Sequence, residues 1–583
     1  MFVKKILKHQ FFLIFSIFFF ALAFRLIGLN WDQNQHLHPD ERFLTMLTST
    51  IKFPNSISQY FDTKNSPLNP FNYDQFSFFV YGTFPIFLVK FLGQIIKLTD
   101  YQNIHFIGRV LSAIFDSLNI FSLYFLSKLI FPKNKKYLSF LPSLFYAFTV
   151  LPIQLSHFFA IDTFLSFFIL LSFVFFSYWI KKQKLFLLFF ASLAFGLAFS
   201  CKISAILFSP IIIFFFIYQI FQKKSFPVKE SLIFLLVFFF TFRFFQPYSF
   251  TGLFKINSDL INSLNSLKSI LMNRDVFYPP EIQWLSKTLI IYPFQNIVFW
   301  GLGIPTSFLL FLSFKNIFSI KIKKLFSSPK NFIIFLSIFW TIFLFLEQGL
   351  QFTHTMRYFL PIYPFICFLA VLLNLSWKNY LKIFIIIFIF HLSYSLIFIS
   401  IYTRPHSRIQ ASNWIYENIP LNSVLANEYW DDPLPLPIQS KFYLTKMLSL
   451  YDPDTTSKWD KINLELAETD YILLTSSRLW SSISSVPDRY PTSSKYYQTL
   501  FDNKSEFQKK IEFNSYPGIS LPFIKKCIYL GPTNYPYLIH KNSWLNIDNQ
   551  CTYPGIYLRD DTAEEAFSVY DHPTVIIFQK MIK

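Results

Sequence analysis

Cysteine is scarce in this sequence, with four residues at Cys201, Cys367, Cys527 and Cys551. None of them form a CxxC pair, so a zinc knuckle is not indicated. No HExxH segment exists to hold the zinc of a metalloprotease. Cys527 and Cys551 could still pair as a disulfide if the last part of the chain lies outside the cytoplasm. Acidic residues are few as well, 33 against 52 Lys and Arg, and the resulting charge of +19 raises the question of nucleic acid. The basic residues argue against it: they sit in short clusters (Lys4 and Lys5, Lys133 to Lys136, Lys181 to Lys184, Lys223 and Lys224, Lys321 to Lys324) separated by long apolar runs, not on one polar face with base-stacking groups. The Lys-rich start leads into an apolar stretch, yet no small-residue cleavage site follows Phe24, Arg25 and Leu26, so that stretch reads as a retained span and not a signal peptide.

What is abundant is apolar sequence. Mean hydropathy is +0.39, and the long runs of Phe, Ile and Leu end near Tyr402. The 82 Phe and 32 Tyr follow lipid exposure and an AT-rich coding bias, so aromatics alone mark no ligand site. About twenty apolar residues, each rising 1.5 Å, cross roughly 30 Å of hydrocarbon. On that rule the runs at 8–29, 105–131, 138–156, 160–180, 185–200, 204–222, 229–246, 288–312, 331–346, 356–375 and 381–401 predict eleven spans. With the N-terminus cytoplasmic, the Lys clusters fall inside, as the positive-inside rule asks. His38, Asp40, Asp162, Lys202, Arg243, Glu347, His354 and Arg357 then gather near the outer face. The piece from Phe76 to Ile96, with Tyr81, Gly82, Pro85 and Lys90, reads as a helix lying along or re-entering the membrane surface.

The fold class expected is therefore a polytopic α-helical membrane protein with about eleven spans and a C-terminal extracytoplasmic mixed α/β domain. Residues 1–401 form the membrane module, with two long external loops at 30–104 and 247–287, and residues 402–583 form the soluble domain. Within that domain Ile409 to Ile419 predicts a short amphipathic helix ended by Pro420. Val424 to Ala426, Tyr471 to Leu474, Cys527 to Leu530 and Val575 to Phe578 predict buried strands.

Ionisable residues at the ends of apolar runs are the candidates for chemistry, because a charge costs free energy in lipid and serves a purpose in a cavity. Asp40 and Glu41 follow Pro39, which can begin a juxtamembrane helix. A carboxylate there can accept a proton from a hydroxyl, or simply pair with Arg42 or Lys52. Asp162 opens a later run and is either a helix cap or a second functional carboxylate. Asp40, Asp162 and His38 are the candidate ligands if a divalent metal such as Mg or Mn takes part. Lys202, Arg243, His354, Arg357 and Tyr358 offer the complementary charge and hydrogen bonds for an anionic lipid phosphate. Each basic residue taken singly could instead be snorkelling to the surface.

The ordered set His38-Pro39-Asp40-Glu41, Arg109-Val110-Leu111-Ser112, His157 through Asp162, Gly196-Leu197-Ala198 with Lys202, and His354-Thr355-Met356-Arg357-Tyr358-Phe359-Leu360-Pro361 resembles the membrane-embedded GT-C glycosyltransferases. The likeness is to the broad group of protein O-mannosyltransferases and lipid A aminoarabinose transferases. It implies a polyprenyl-phosphate-linked monosaccharide donor and a hydroxyl-bearing cell-envelope acceptor reached from the outer side. It further implies Asp40 at the position of the family's catalytic acidic residue, a second acidic position at Asp162, and a carrier-phosphate contact around Lys202 and Arg357, while Glu41 stays a catalytic candidate on its place beside Asp40 alone. Inversion at the anomeric carbon follows if attack is in line. The resemblance places such a protein in a bacterial-type cytoplasmic membrane. After residue 402 the chain resembles only the end region of uncharacterised bacterial relatives, through Trp414-Ile415, Asn418-Ile419-Pro420, Glu428-Tyr429-Trp430-Asp431 and Asp571-His572-Pro573. Two other classes remain: a transporter or flippase of lipid-linked saccharides, against which stand the absence of a repeat and the one-sided charges, and a non-catalytic membrane scaffold.

Overall fold

The computed structural model describes residues 10–272, 278–317, 326, 328–375, 379–532, 544–549, 551 and 553–581. The clusters at Lys4 and Lys5 and at Lys321 to Lys324 lie outside the described residues. The chain divides into two compact units.

The first unit comprises Met1–Leu29, Pro39–Leu271 and Pro293–Ser395 and is helical. Among the described residues, six helices are long and apolar enough to cross a membrane: Ile104–Ile130, Asp162–Lys182, Ile203–Lys223, Pro329–Gly349, Met356–Asn374 and the one starting at Tyr380. The count reaches eight if each of two bent pairs is one span, Lys133–Ala147 with Val150–Ser156 and Ile291–Gly301 with Ile304–Ser313. The second pair turns through 119°. Gly303 makes that turn at φ +78°, where a Cβ would stand 2.6 Å from the Tyr394 ring, so only glycine fits. Gln10–Leu26, Thr83–Ile96 and Leu185–Cys201 are shorter apolar helices. At 1.5 Å per residue Thr83–Ile96 reaches only about 21 Å.

A buried ion pair locks part of this bundle. Arg25 at the end of Gln10–Leu26 donates Nε to Asp116 Oδ2 at 2.6 Å, and both side chains are fully buried. Arg25 Nη1 also donates to the Ala147 carbonyl at 2.9 Å, and Tyr146 donates its hydroxyl to Asp116 Oδ1 at 2.5 Å. Three helices are thereby fixed at one point, because removing either charge would strand the other in a low-dielectric interior.

The second unit comprises Asn30–His38, Met272–Tyr292 and Leu396–Lys583 and is mixed α/β. Its nine strands are β1 Val424–Glu428, β2 Leu444–Leu448, β3 Tyr471–Leu474, β4 Phe507–Phe513, β5 Gly518–Ser520, β6 Cys527–Leu530, β7 Leu545–Asp548, β8 Gly555–Leu558 and β9 Val575–Lys580. Five form one sheet in the order β2-β1-β3-β9-β4, with β2, β1 and β3 parallel and β9 and β4 antiparallel. All four residues of β3 are buried, which suits a near-continuous apolar strand in the middle of a covered sheet. Leu479, Ile483, Tyr497 and Leu500, from helices Arg478–Ser484 and Pro491–Phe501, pack with Ile472, Leu474, Ile576 and Phe578. Ile282, from the segment after Tyr278, joins the same core.

The remaining strands form a small sheet in the order β5-β8-β6-β7. A disulfide joins Cys527 of β6 to Cys551, the pairing the sequence left open. The four strands expected from sequence are present, as is the helix, which runs Ser407–Asn418 and stops before Pro420. His406 caps it, its Nδ1 accepting the Arg408 N–H at 3.1 Å.

Candidate active site

The helix Pro39–Thr50 starts on the proline, whose fixed φ suits a first helical position, and it carries Asp40 and Glu41 in its first turn. Consecutive helical residues point about 100° apart, so the two carboxylates cannot share one environment. Glu41 is fully buried, whereas the Asp40 side chain keeps 22% of its surface in the open.

Asp40 begins a continuous line of contacts within the helical unit. Arg357 donates Nη1 to Asp40 Oδ2, and Tyr81 donates its hydroxyl to Asp40 Oδ1 at 3.1 Å. Arg357 lies in the tight 3₁₀ turn Met356–Ile362. Its guanidinium carbon is 5.6 Å from the centre of the Tyr358 ring, and Lys202 Nζ is 4.5 Å from the same ring. Lys202 in turn donates to Asp162 Oδ1 at 2.9 Å. Asp162 is the first residue of its helix, one past the N-cap Ile161, and its carboxylate is held in this ion pair. Two cation–carboxylate pairs therefore flank one aromatic ring, and both cations stay partly open, Arg357 at 27% and Lys202 at 21%.

Gly82 brings the two sides together. Its N–H donates to the Cys201 carbonyl at 2.8 Å, directly before Lys202, and a Cβ on Gly82 would fall 2.0 Å from the Ser200 carbonyl oxygen. The residue before it, Tyr81, reaches Asp40. A narrow apolar crevice opens beside this contact, lined by Tyr81, Gly82, Phe199, Ile203, Phe242 and Leu260.

Glu41 stands away from that line. It holds Arg109 through two hydrogen bonds, Nε to Oε2 at 2.9 Å and Nη2 to Oε1, and accepts the Phe159 N–H at 2.6 Å. Arg109 also donates Nη1 to the Leu29 carbonyl at 2.7 Å. His157 continues the fixation, its Nε2 lying 2.9 Å from the Ile27 carbonyl oxygen. The segment from His157 to Asp162 is thus pinned by Glu41, which makes Glu41 a support for Asp162. Arg243 is set apart too: its guanidinium lies 4.8 Å from the Phe61 ring and 5.3 Å from that of Phe250, and donates to the Pro247 carbonyl at 3.1 Å. His354 is buried with Nδ1 3.1 Å from the Gln351 carbonyl oxygen. His38 belongs to the other unit, its ring 4.5 Å from that of Tyr570.

As a metal site the donors fit poorly. Asp40 and Asp162 are each already neutralised by a cation, and no group of three His, Cys, Asp or Glu converges among the described residues. Tyr81 and Gly82 join this line of contacts and were not among the candidates read from the sequence. Their one signal was a tyrosine and a glycine in an otherwise apolar surface helix.

The mixed unit has an ionic network of its own, which takes in the sequence pieces around Asp431 and His572. Arg408 pairs with Asp431 at 2.6 Å, and Arg478 with Glu565 at 2.6 Å. His572 lies between two carboxylates, Nδ1 2.5 Å from Asp571 and Nε2 2.6 Å from Asp560. Burial would push this imidazole down, but the two carboxylates together hold it up, at about 10. Burial pushes Glu428 up to about 8, opposed by the Tyr497 hydroxyl bonded to it and aided by Asp431. Interlocked and largely buried, these groups read as a scaffold for the domain.

Comparison with known proteins bears on the helical unit. Residues 89–248 match the profile of the family described as dolichyl-phosphate-mannose-protein mannosyltransferase. No curated protein sequence matches the chain. Among solved structures it is similar to the oligosaccharyltransferase of Archaeoglobus fulgidus in its apo form, at 13% identity over 83% of this chain and 72% of that one, with a TM-score of 0.48. It is also similar to ArnT from Cupriavidus metallidurans bound to undecaprenyl phosphate, at 11% identity over 83% of this chain and 95% of that one, with a TM-score of 0.46. The matched segment carries Asp162, Lys202 and Arg243, and over it the chain is similar to the membrane mannosyltransferases that the profile describes.

Proposed function

We propose that the protein moves a monosaccharide from a polyprenyl-phosphate carrier to a hydroxyl group of a cell-envelope acceptor, whether protein, lipid or glycan, with inversion at the anomeric carbon. The observation that carries this reading is the unbroken line Asp40, Arg357, Tyr358, Lys202, Asp162, drawn from four separate stretches of chain. In the reaction the acceptor oxygen bonds to the anomeric carbon as the bond from that carbon to the phosphate oxygen breaks. Asp40 takes the hydroxyl proton. The departing phosphate gathers negative charge, and Arg357 and Lys202, each now shared with a carboxylate, can turn to it. Such charge-assisted donors count most where charge develops in the transition state. Asp162 holds Lys202 in place until then.

The same reading proposes a membrane module at 1–401 and an extracytoplasmic domain at 402–583, and the Cys527–Cys551 disulfide supports an oxidising compartment for the latter. It also proposes eleven spans, adding Gln10–Leu26, Leu185–Cys201 and Val228–Phe245 to the six helices and two bent pairs. The localisation proposed is the cytoplasmic membrane of a bacterial-type cell. The test is to incubate the purified protein with radiolabelled polyprenyl-phosphate sugars and cell-envelope extract. Label should move to an envelope product with wild type and not with Asp40→Asn. Equal transfer by both would remove Asp40 from the reaction.

A further inference from the structure

The small sheet of the mixed unit has two unlike faces. On one, Tyr529, Tyr557 and Cys527 are buried together with Tyr516. On the other, register places four isoleucines in a single row across all four strands: Ile519 opposite Ile556, Ile556 opposite Ile528, and Ile528 opposite Ile547. Directly paired residues point to the same face. Two positions along, Leu558, Leu530 and Leu545 make a second row on that face. Ile519 is 50% exposed, Ile547 46% and Leu545 51%. The outer face of a sheet at the edge of a soluble domain is ordinarily polar, so an apolar one calls for something to cover it.

Three observations indicate what covers it. First, β5 is tied to the residues that continue the apolar helix Tyr380–Ile399. The Gly518 N–H donates to Ser400 Oγ at 3.0 Å, and Arg404 donates to the Tyr516 carbonyl and lies 5.0 Å from the Tyr557 ring. Second, two aromatic side chains on the chain next to β5 and β7 stand in the open, Phe523 at 79% and Trp544 at 73%, and rings of this kind favour the headgroup layer. Third, Lys525 and Lys526 come just after Phe523, past Ile524, while the acidic Asp548 pairs in register with Cys527 on the buried side's row. An exposed apolar face, with exposed aromatic residues and lysines in the chain that flanks its strands, matches an anionic bilayer surface.

We infer that the β5-β8-β6-β7 sheet lies with its isoleucine and leucine face in the lipid interface, anchoring the mixed domain to the membrane that the preceding helix leaves.

The test uses the full-length protein reconstituted in phosphatidylcholine vesicles with and without phosphatidylglycerol. A polarity-sensitive fluorophore is attached at Ile547→Cys, at Ile519→Cys, and at Leu464→Cys as a control on the exposed side of helix Thr456–Ala467. Native thiols do not compete, since Cys201 and Cys367 are buried and Cys527 and Cys551 are paired. At 547 and 519 the probe should be blue-shifted and quenched by headgroup-level doxyl lipid, at least about twofold more than at 464, and more so with phosphatidylglycerol present. Quenching by aqueous iodide equal to that at 464 would overturn the inference. So would protection from both quenchers that grows with protein concentration, which would assign the face to a second copy of the chain. Two independent positions keep the result decisive if one variant folds poorly.

Discussion

The two neighbouring carboxylates should give opposite phenotypes. Replacing Glu41 by Gln removes the anion that holds Arg109, whose side chain is fully buried, through two hydrogen bonds. A guanidinium left buried without its partner costs about 3–5 kcal/mol, which is roughly two to three and a half orders of magnitude in the folding equilibrium at about 1.4 kcal/mol per tenfold. Asn at position 40 keeps an oxygen for the Tyr81 hydroxyl and removes a pair that is roughly a quarter exposed on both sides, so the stability change should stay within about 1 kcal/mol. Turnover, in contrast, should fall by roughly two to four orders of magnitude once the proton acceptor is gone. Thermal unfolding of the purified variants in detergent, set beside sugar transfer from a labelled lipid donor, separates the two. A stable, inactive Glu41→Gln together with an active or unfolded Asp40→Asn would refute the reasoning.

Other outcomes follow from the same geometry. Arg357→Lys should restore only part of the donor affinity lost in Arg357→Ala, because an ammonium keeps the charge and loses the planar fork, as a lipid-phosphate binding series would show. Gly82→Ala should lower transfer and stability together, since a Cβ 2.0 Å from the Ser200 carbonyl oxygen forces apart the contact that joins Tyr81 to Lys202. Unchanged unfolding and transfer in that variant would remove Gly82 from this role. In the mixed domain Glu428 titrates at about 8 when folded against an ordinary value of 4.5, so the folded state holds the extra proton and stability falls as pH rises through that window. Glu428→Gln should flatten the fall, read from unfolding midpoints between pH 5 and 8. His572 works at higher pH: its folded value of about 10 exceeds the ordinary 6.5, so its contribution is complete below about 6.5 and lost as pH passes 10. His572→Gln should remove that decline at alkaline pH.

Much of the architecture was legible because its signals are local. Pro39 does begin a helix, and Val424, Tyr471, Cys527 and Val575 do begin strands, since short apolar runs between turn residues leave few alternatives. β4 was hidden because Gln508, Lys509, Lys510 and Glu512 make Phe507–Phe513 look like polar loop, and β5 because three residues are too few for a pattern. The charged residues near the site stood out by type, but their partners did not. Asp40 and Arg357 are 317 residues apart, and no periodicity announces that Arg109 takes Glu41 while Arg357 takes Asp40. Arg243 carried the same sequence signal as Lys202, yet packs between phenylalanines, because a basic residue at the end of an apolar helix looks alike whether it meets an anion or an aromatic ring.

In the proposed reaction Arg357 and Lys202 act on one lipid phosphate. The direct measurement is equilibrium binding of a polyprenyl phosphate to wild type, Arg357→Ala, Lys202→Ala and the double variant. Each single change should weaken binding by at least about tenfold, as loss of a partly shielded charge-assisted bond implies, and the double variant should depart from the sum of the two, since both act on one group beside the Tyr358 ring. Equal affinity in all four proteins would contradict the account.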